Sequence, residues 1–171
     1  GAQTFNDVFG TTTNPWYTAL TPAGSSGGSA VAVATGEVWL ADGSDLGGSL
    51  RTPASFTSTV GLRPSPGRVA AGPKALPFDT MSVYGPMARN VADCALMLDA
   101  MAGFDPRDPI SFAAPPTSFV DSVDRALTAG VLPSRFAGGC RIGWTPDLGI
   151  CPVDPEVVEI CAQAVQRLAK L

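Results

Sequence analysis

Apolar and polar positions recur along this chain with a changing period, and each change marks an expected element. Ser29 to Thr35 (SAVAVAT) is small and apolar behind Gly27-Gly28, which predicts a short, closely packed helix fed by a loop. Glu37 to Ala41 (EVWLA) has the β-branched and aromatic content of a strand, and Asp42 to Ser49 reads as the loop after it. Between Asn90 and Ala102, the residues Val91, Ala95, Leu98 and Ala102 share one helical face. Asn90 is the expected cap there, and Asp93 sits in the first turn, where a helix favours negative charge. Phe119 to Ala129 reads as an amphipathic helix and Cys140 to Trp144 as a strand. Asp154-Pro155 opens a last helix with the stripe Val157, Cys161, Val165 and Leu168. Turn-rich Gly1 to Gly24 and proline-punctuated Phe104 to Ser118 read as loop and connector. Strands alternating with helices predict an α/β fold, a mixed β-sheet sandwiched by helices.

Composition narrows the function classes. The 171 residues suit one domain, yet the chain opens at Gly1 and stops at Leu171 inside a helical pattern, so it reads as a segment. Gly 19 and Pro 16 are aperiodic and accompany 45% hydrophobic residues, which excludes collagen and disorder. Lys+Arg 11 against Asp+Glu 15 gives a net charge of −4 without a basic run, so no electrostatic footprint for nucleic acid is present. With His 0, these residues provide no Ser-His-Asp triad, His-ligated zinc or imidazole acid-base chemistry. Cys94, Cys140, Cys151 and Cys161 lack C-x-x-C spacing and read as reduced, mostly buried thiols. No apolar stretch approaches the ~18 residues of a membrane span, and Gly1 to Gly10 resembles no signal peptide, so a soluble, cytoplasmic protein is expected.

Two Gly/Ser loops flank the first helix and strand. Gly24-Ser25-Ser26-Gly27-Gly28-Ser29 offers hydroxyls and backbone N–H groups ahead of a helix, which would suit an anion, although no P-loop lysine follows and no G-x-G-x-x-G is present. A tight turn into the helix is the equal alternative. In Ser44-Asp45-Leu46-Gly47-Gly48-Ser49-Leu50-Arg51, a Ser after two glycines could be a nucleophile beside N–H donors for an oxyanion. Arg51 stands where an α/β-hydrolase elbow needs Gly, which disfavours that class. The plainer reading makes Asp45 and Arg51 a structural ion pair holding a glycine loop.

Taken together, three blocks resemble the signature of the amidase signature family: Gly24 to Ala30, Asp45 to Ala54 (DLGGSLRTPA) and Val60 to Val69 (VGLRPSPGRV). Asn14-Pro15-Trp16, Gly85 to Asp93 (GPMARNVAD) and Val153 to Glu156 extend the likeness. Ala23 departs from it, standing where the motif usually has Gly, and so does Leu46, where Thr is common. The resemblance implies amide hydrolysis by a Ser-Ser-Lys triad, with Ser49 as nucleophile and Ser25 as the bridging serine after a cis peptide bond. It implies an oxyanion hole from the N–H groups of Leu46, Gly47, Gly48 and Ser49, with Gly24, Ser26, Asp45 and Arg51 as supports. A neutral lysine serves as base in place of His, because desolvation depresses a lysine pKa. In the family this lysine lies upstream of the bridging serine, in a stretch that would precede Gly1. Lys74 and Lys170 are therefore not expected to be the base. Residues 1–171 then correspond to the central part of one longer catalytic domain, and the isolated segment is expected to be inactive.

Three functions remain open. A general amidase acting on a small-molecule amide, with an acyl-enzyme on Ser49, is favoured by Asn14-Pro15-Trp16 and by Leu76 to Thr80 (LPFDT). The amidase subunit of a tRNA-dependent Asp/Glu amidotransferase and a catalytically inactive anion-binding or structural module are the others. For the first, no cofactor, metal, nucleic acid or membrane is expected, and a homodimer is left open. Trp16, Phe78 and Met81 are expected in the core, with the lining of an apolar pocket as the alternative.

Overall fold

The structure is a computed structural model and describes residues 2–129 and 141–169, in two compact units, 1–123 and 124–171. In chain order the elements are β1 (Phe5–Asn6), β2 (Gly10–Thr11), α1 (Gly27–Thr35), β3 (Leu40–Asp45), α2 (Arg51–Thr57), β4 (Val60–Gly61), β5 (Val83–Ala88), α3 (Val91–Met101), α4 (Phe119–Ala129) and α5 (Pro155–Leu168). The α/β class is as expected, and the described strands pair antiparallel: β1 with β2, and a three-stranded sheet in the order β3-β5-β4.

The sheet is organised around one side chain. Gly43 of β3 lies opposite Gly85 of β5. A Cβ on Gly43 would lie 2.8 Å from Leu50 Cδ2, and one on Gly85 would lie 2.9 Å from Leu50 Cδ1. Two facing glycines thus leave a gap that Leu50 fills. Buried Leu50 joins Ala30, Ala54 and Met87 in a core cluster between this face and helices α1 and α2. On the opposite face, buried Pro86 and Ala88 lie under α3, whose Met101 lines a cleft with Asp42 and Tyr84.

Capping follows the sequence closely. Asn90 accepts the Asp93 N–H at 2.8 Å, and Asp154 accepts that of Glu156 at 2.9 Å ahead of Pro155. The N–H groups of Phe119 and Val120 go to Asp99 of α3, at 2.7 and 3.0 Å, so one helix caps the next.

Several expectations are corrected. The strand expected at Glu37 to Ala41 begins only at Leu40 and runs to Asp45, into the expected loop. The reason is local: α1 ends in left-handed Gly36, and Val38 N–H still donates to Ala32 O, which holds 36–38 against the helix. Residues 141–144 form no strand, and Cys140 lies outside the described residues. A hairpin, β1 and β2, interrupts the expected loop of Gly1 to Gly24, and α2 and β5 arise in stretches assigned no element. In α3 the buried residues are Cys94, Ala95 and Leu98, while Val91 is exposed. Of the described cysteines only Cys94 is buried; Cys161 is intermediate and Cys151 exposed. Trp16, Phe78 and Met81 are 67%, 73% and 62% exposed and so do not belong to the core. No helix among the described residues is long and apolar enough to cross a membrane.

Candidate active site

The first loop reaches α1 through a conformation that the residue types partly resist. Ala23 adopts φ 60°, the left-handed region that favours glycine, at the position where the motif usually carries Gly. The Gly24–Ser25 peptide bond is cis. Gly24 is buried, and a Cβ there would lie 2.7 Å from the carbonyl oxygen of Ala2. Ser25 is exposed at the tip. Ser26 turns back onto the sheet, where its Oγ accepts the Ser44 N–H and donates to the Ser44 carbonyl, both at 3.2 Å. The Ser26 N–H also donates to the Ser49 carbonyl at 3.2 Å, which joins the two loops directly.

The second loop leaves β3 at Asp45 and enters α2 at Arg51. Asp45 is fully buried and organises every turn of it. Its Oδ1 accepts the Gly48 N–H at 2.7 Å and Arg51 Nη2 at 3.1 Å, and its Oδ2 accepts the Leu50 N–H at 3.2 Å and Arg51 Nε at 3.0 Å. Burial alone would raise the Asp45 carboxyl. The Arg51 hydrogen bonds, the Gly48 and Leu50 N–H groups and the Arg51 charge outweigh that and hold it well below the usual carboxylate range. Arg51 rises in turn through its hydrogen bond to Asp45. Gly48 takes φ 120°, a conformation available to glycine, and a Cβ there would press within 2.7 Å of Thr52 Oγ1. These constraints hold Ser49, half-buried, just ahead of α2, while Leu50 is anchored in the core.

The four expected oxyanion donors are not equivalent. The Gly48 N–H is committed to Asp45, so it departs from the expected set. Among the described residues, the N–H groups of Leu46, Gly47 and Ser49 carry no partner, and neither do the hydroxyls of Ser25 and Ser49. Ser25 and Ser49 thus sit on adjoining loops without a hydrogen bond between their side chains. Lys74 follows the cis Gly72–Pro73 bond in a separate loop and bonds neither serine, and Lys170 lies outside the described residues. No cluster of three or more His, Cys, Asp or Glu that could hold a metal occurs among the described residues.

One functional-site residue escaped sequence reasoning. Arg63 donates from Nη1 to the Asp45 carbonyl and from Nη2 to the Met81 carbonyl at 3.0 Å, and Nη1 lies 3.6 Å from Asp45 Oδ1. Its place in the third signature block was a signal, but its partners lie 18 residues away on either side.

A family model described as Amidase matches residues 1–171. An acylamidase of Rhodococcus erythropolis is 40% identical over 168 residues, covering 98% of this chain and 33% of the relative. One subunit of the glutamyl-tRNA(Gln) amidotransferase of Burkholderia pseudomallei (strain 668) is 43% identical over 143 residues, covering 84% of this chain and 29% of the relative. Among solved structures, a bacterial aryl acylamidase of the amidase signature enzymes superposes with a TM-score of 0.84 at 35% identity, covering 99% of this chain and 33% of that one. The chain therefore spans about a third of the length of the curated relatives it matches.

Proposed function

Because the chain belongs to the amidase family, we propose that it carries the nucleophile and the oxyanion-binding loop of an enzyme that hydrolyses a carboxamide. Ser49 Oγ attacks the carbonyl carbon and passes its proton through Ser25 to a lysine base outside these residues. The developing oxyanion is received by the N–H groups of Leu46, Gly47 and Ser49. Collapse of the tetrahedral intermediate breaks the carbon–nitrogen bond, the leaving nitrogen takes the proton back through Ser25, and the acyl group remains on Ser49. Water then adds to the acyl-enzyme by the same route and releases the acid. The observation that carries this reading is the Asp45-locked loop, which leaves three unpartnered N–H groups beside one serine hydroxyl.

Of the two enzymatic readings, a general amidase acting on small or aryl amides is favoured by extent of likeness. The acylamidase aligns over 98% of this chain, the amidotransferase relative over 84%. The latter's higher identity, 43% against 40%, keeps ammonia release from glutamine for a partner protein as the second reading. A fluorophosphonate probe on the protein that contains this chain, with p-nitroanilide turnover as the second readout, decides among them. Labelling that Ser49→Ala abolishes, together with anilide hydrolysis, supports the proposal. Glutaminase activity that needs partner subunits and ATP favours the second reading, and absence of labelling favours a module without chemistry. Residues 1–171 alone are expected to be inactive; turnover by them that Ser49→Ala abolishes would sink the assignment of the base.

A further inference from the structure

Resting on the amidase reading, we infer that Arg63 is a positioning residue: it clamps the turn 76–82 against the nucleophile loop, so that Phe78 and Met81 receive an apolar acyl group of the substrate. Three observations place that turn beside the site. Asp45, the last residue of β3, pairs with Val83, the first of β5, so the nucleophile loop leaves the sheet at the point where the turn enters it. One guanidinium, that of Arg63, holds the Asp45 and Met81 carbonyls together. The turn is also closed on itself: Asp79 Oδ1 accepts the Met81 N–H at 2.9 Å, and the Asp79 N–H donates to the Leu76 carbonyl at 3.1 Å.

The turn's apolar side chains face solvent. Phe78 and Met81 are exposed, as are Leu76 beside them and Leu46 on the nucleophile loop. Exposed apolar residues on the turn and on the nucleophile loop, two segments that Arg63 ties together, offer a surface suited to an apolar substituent. Direction follows from the proton route. The leaving nitrogen must face Ser25, whose loop lies along the outer edge of β3 through Ser26 and Ser44. The acyl group then extends the other way, towards β5 and the turn that feeds it.

The test compares p-nitroacetanilide with octanoyl p-nitroanilide on the catalytically complete protein. Arg63→Ala is expected to lower kcat/KM for the octanoyl substrate about 10-fold more than for the acetyl one, through KM. Phe78→Ala, at a position 73% exposed, should give the same selective loss. Arg63→Lys, which reaches only one carbonyl, should give a smaller loss that disappears in the Phe78→Ala background. Equal losses on both substrates, an effect confined to kcat, or additivity of Arg63→Lys with Phe78→Ala would each overturn the inference. Failure of the fluorophosphonate to label Ser49 overturns the amidase reading and this inference with it, whereas labelling with an unchanged acyl preference overturns the inference alone.

Discussion

Asp45→Asn keeps the side-chain volume and removes the charge at a position that is 0% exposed. Each carboxylate oxygen takes one backbone N–H and one Arg51 nitrogen, Gly48 with Nη2 on Oδ1 and Leu50 with Nε on Oδ2. Whichever way the amide is turned, its NH2 therefore faces one buried N–H and one guanidinium N–H. The stranded backbone donor costs about 1–3 kcal/mol, and the retained one weakens by about 1 kcal/mol as its acceptor loses charge. Arg51 contributes less, because its side chain is 56% exposed and returns to water at about 1 kcal/mol or below. The sum is about 3 kcal/mol, a fall in urea midpoint of about 1–2 M. The pH dependence supplies a second check. The folded-state pKa of Asp45 is depressed, so its contribution is fully present above the unfolded carboxylate value of about 4 and is lost as pH falls through the folded value. The gap between parent and variant should narrow below about pH 4. A loss under about 1 kcal/mol at pH 7, or a gap that stays constant down to pH 3, would refute the assignment of this carboxylate as the organiser of the loop.

Three other substitutions probe the scaffold by thermal or urea unfolding. Asn90→Ala removes the acceptor of the Asp93 N–H at the start of α3 and should cost about 1 kcal/mol, a fall in Tm of about 2–4 °C; no change would mean the cap is solvent-compensated. Gly85→Ala drives a Cβ into the Leu62 carbonyl oxygen and places it 2.9 Å from Leu50 Cδ1, so a loss above about 2 kcal/mol is expected, and a tolerated alanine would contradict the glycine-pair account of Leu50 packing. Ala23→Gly exchanges a buried methyl for relief at φ 60° and should be nearly neutral, whereas Ala30→Gly, fully buried inside α1, should cost about 1–2 kcal/mol; equal effects would argue against strain at Ala23.

The helices that sequence marked well are those whose signals are local. Asn90 with Asp93 and Asp154 with Pro155 announce their own caps, and α3, α4 and α5 follow with boundaries close to those expected. Elements set by distant partners were illegible. Gly43 reads as loop until Gly85 is known to face it and Leu50 to fill the gap, so local pattern marks neither the end of β3 nor β5. Met87 and Ala88 are fully buried, yet Gly85 and Pro86 before them hide the strand from any propensity argument. At the site, the Asp45–Arg51 pair was readable from six-residue spacing, and the Ser26 bracing came with the family resemblance. Neither the commitment of the Gly48 N–H to Asp45 nor the two hydrogen bonds of Arg63 to the Asp45 and Met81 carbonyls can be read from sequence, because both depend on the three-dimensional path of the loop.

Ser26 and Ser29 carry a consequence beyond catalysis. Among the described strands β3 is an edge, and the groups that point away from β5 would be open to pairing with a foreign strand. The Ser26 hydroxyl occupies both the N–H and the carbonyl of Ser44, and Ser29 Oγ donates to the Asp42 carbonyl at 2.9 Å. A hydroxyl that accepts and donates at once imitates the two hydrogen bonds of a neighbouring strand residue without offering a strand of its own. Ser26, ahead of α1, and Ser29, in its first turn, thereby occupy with hydroxyls the side of β3 that faces away from β5, and at Ser44 neither backbone group is left for another strand to pair with.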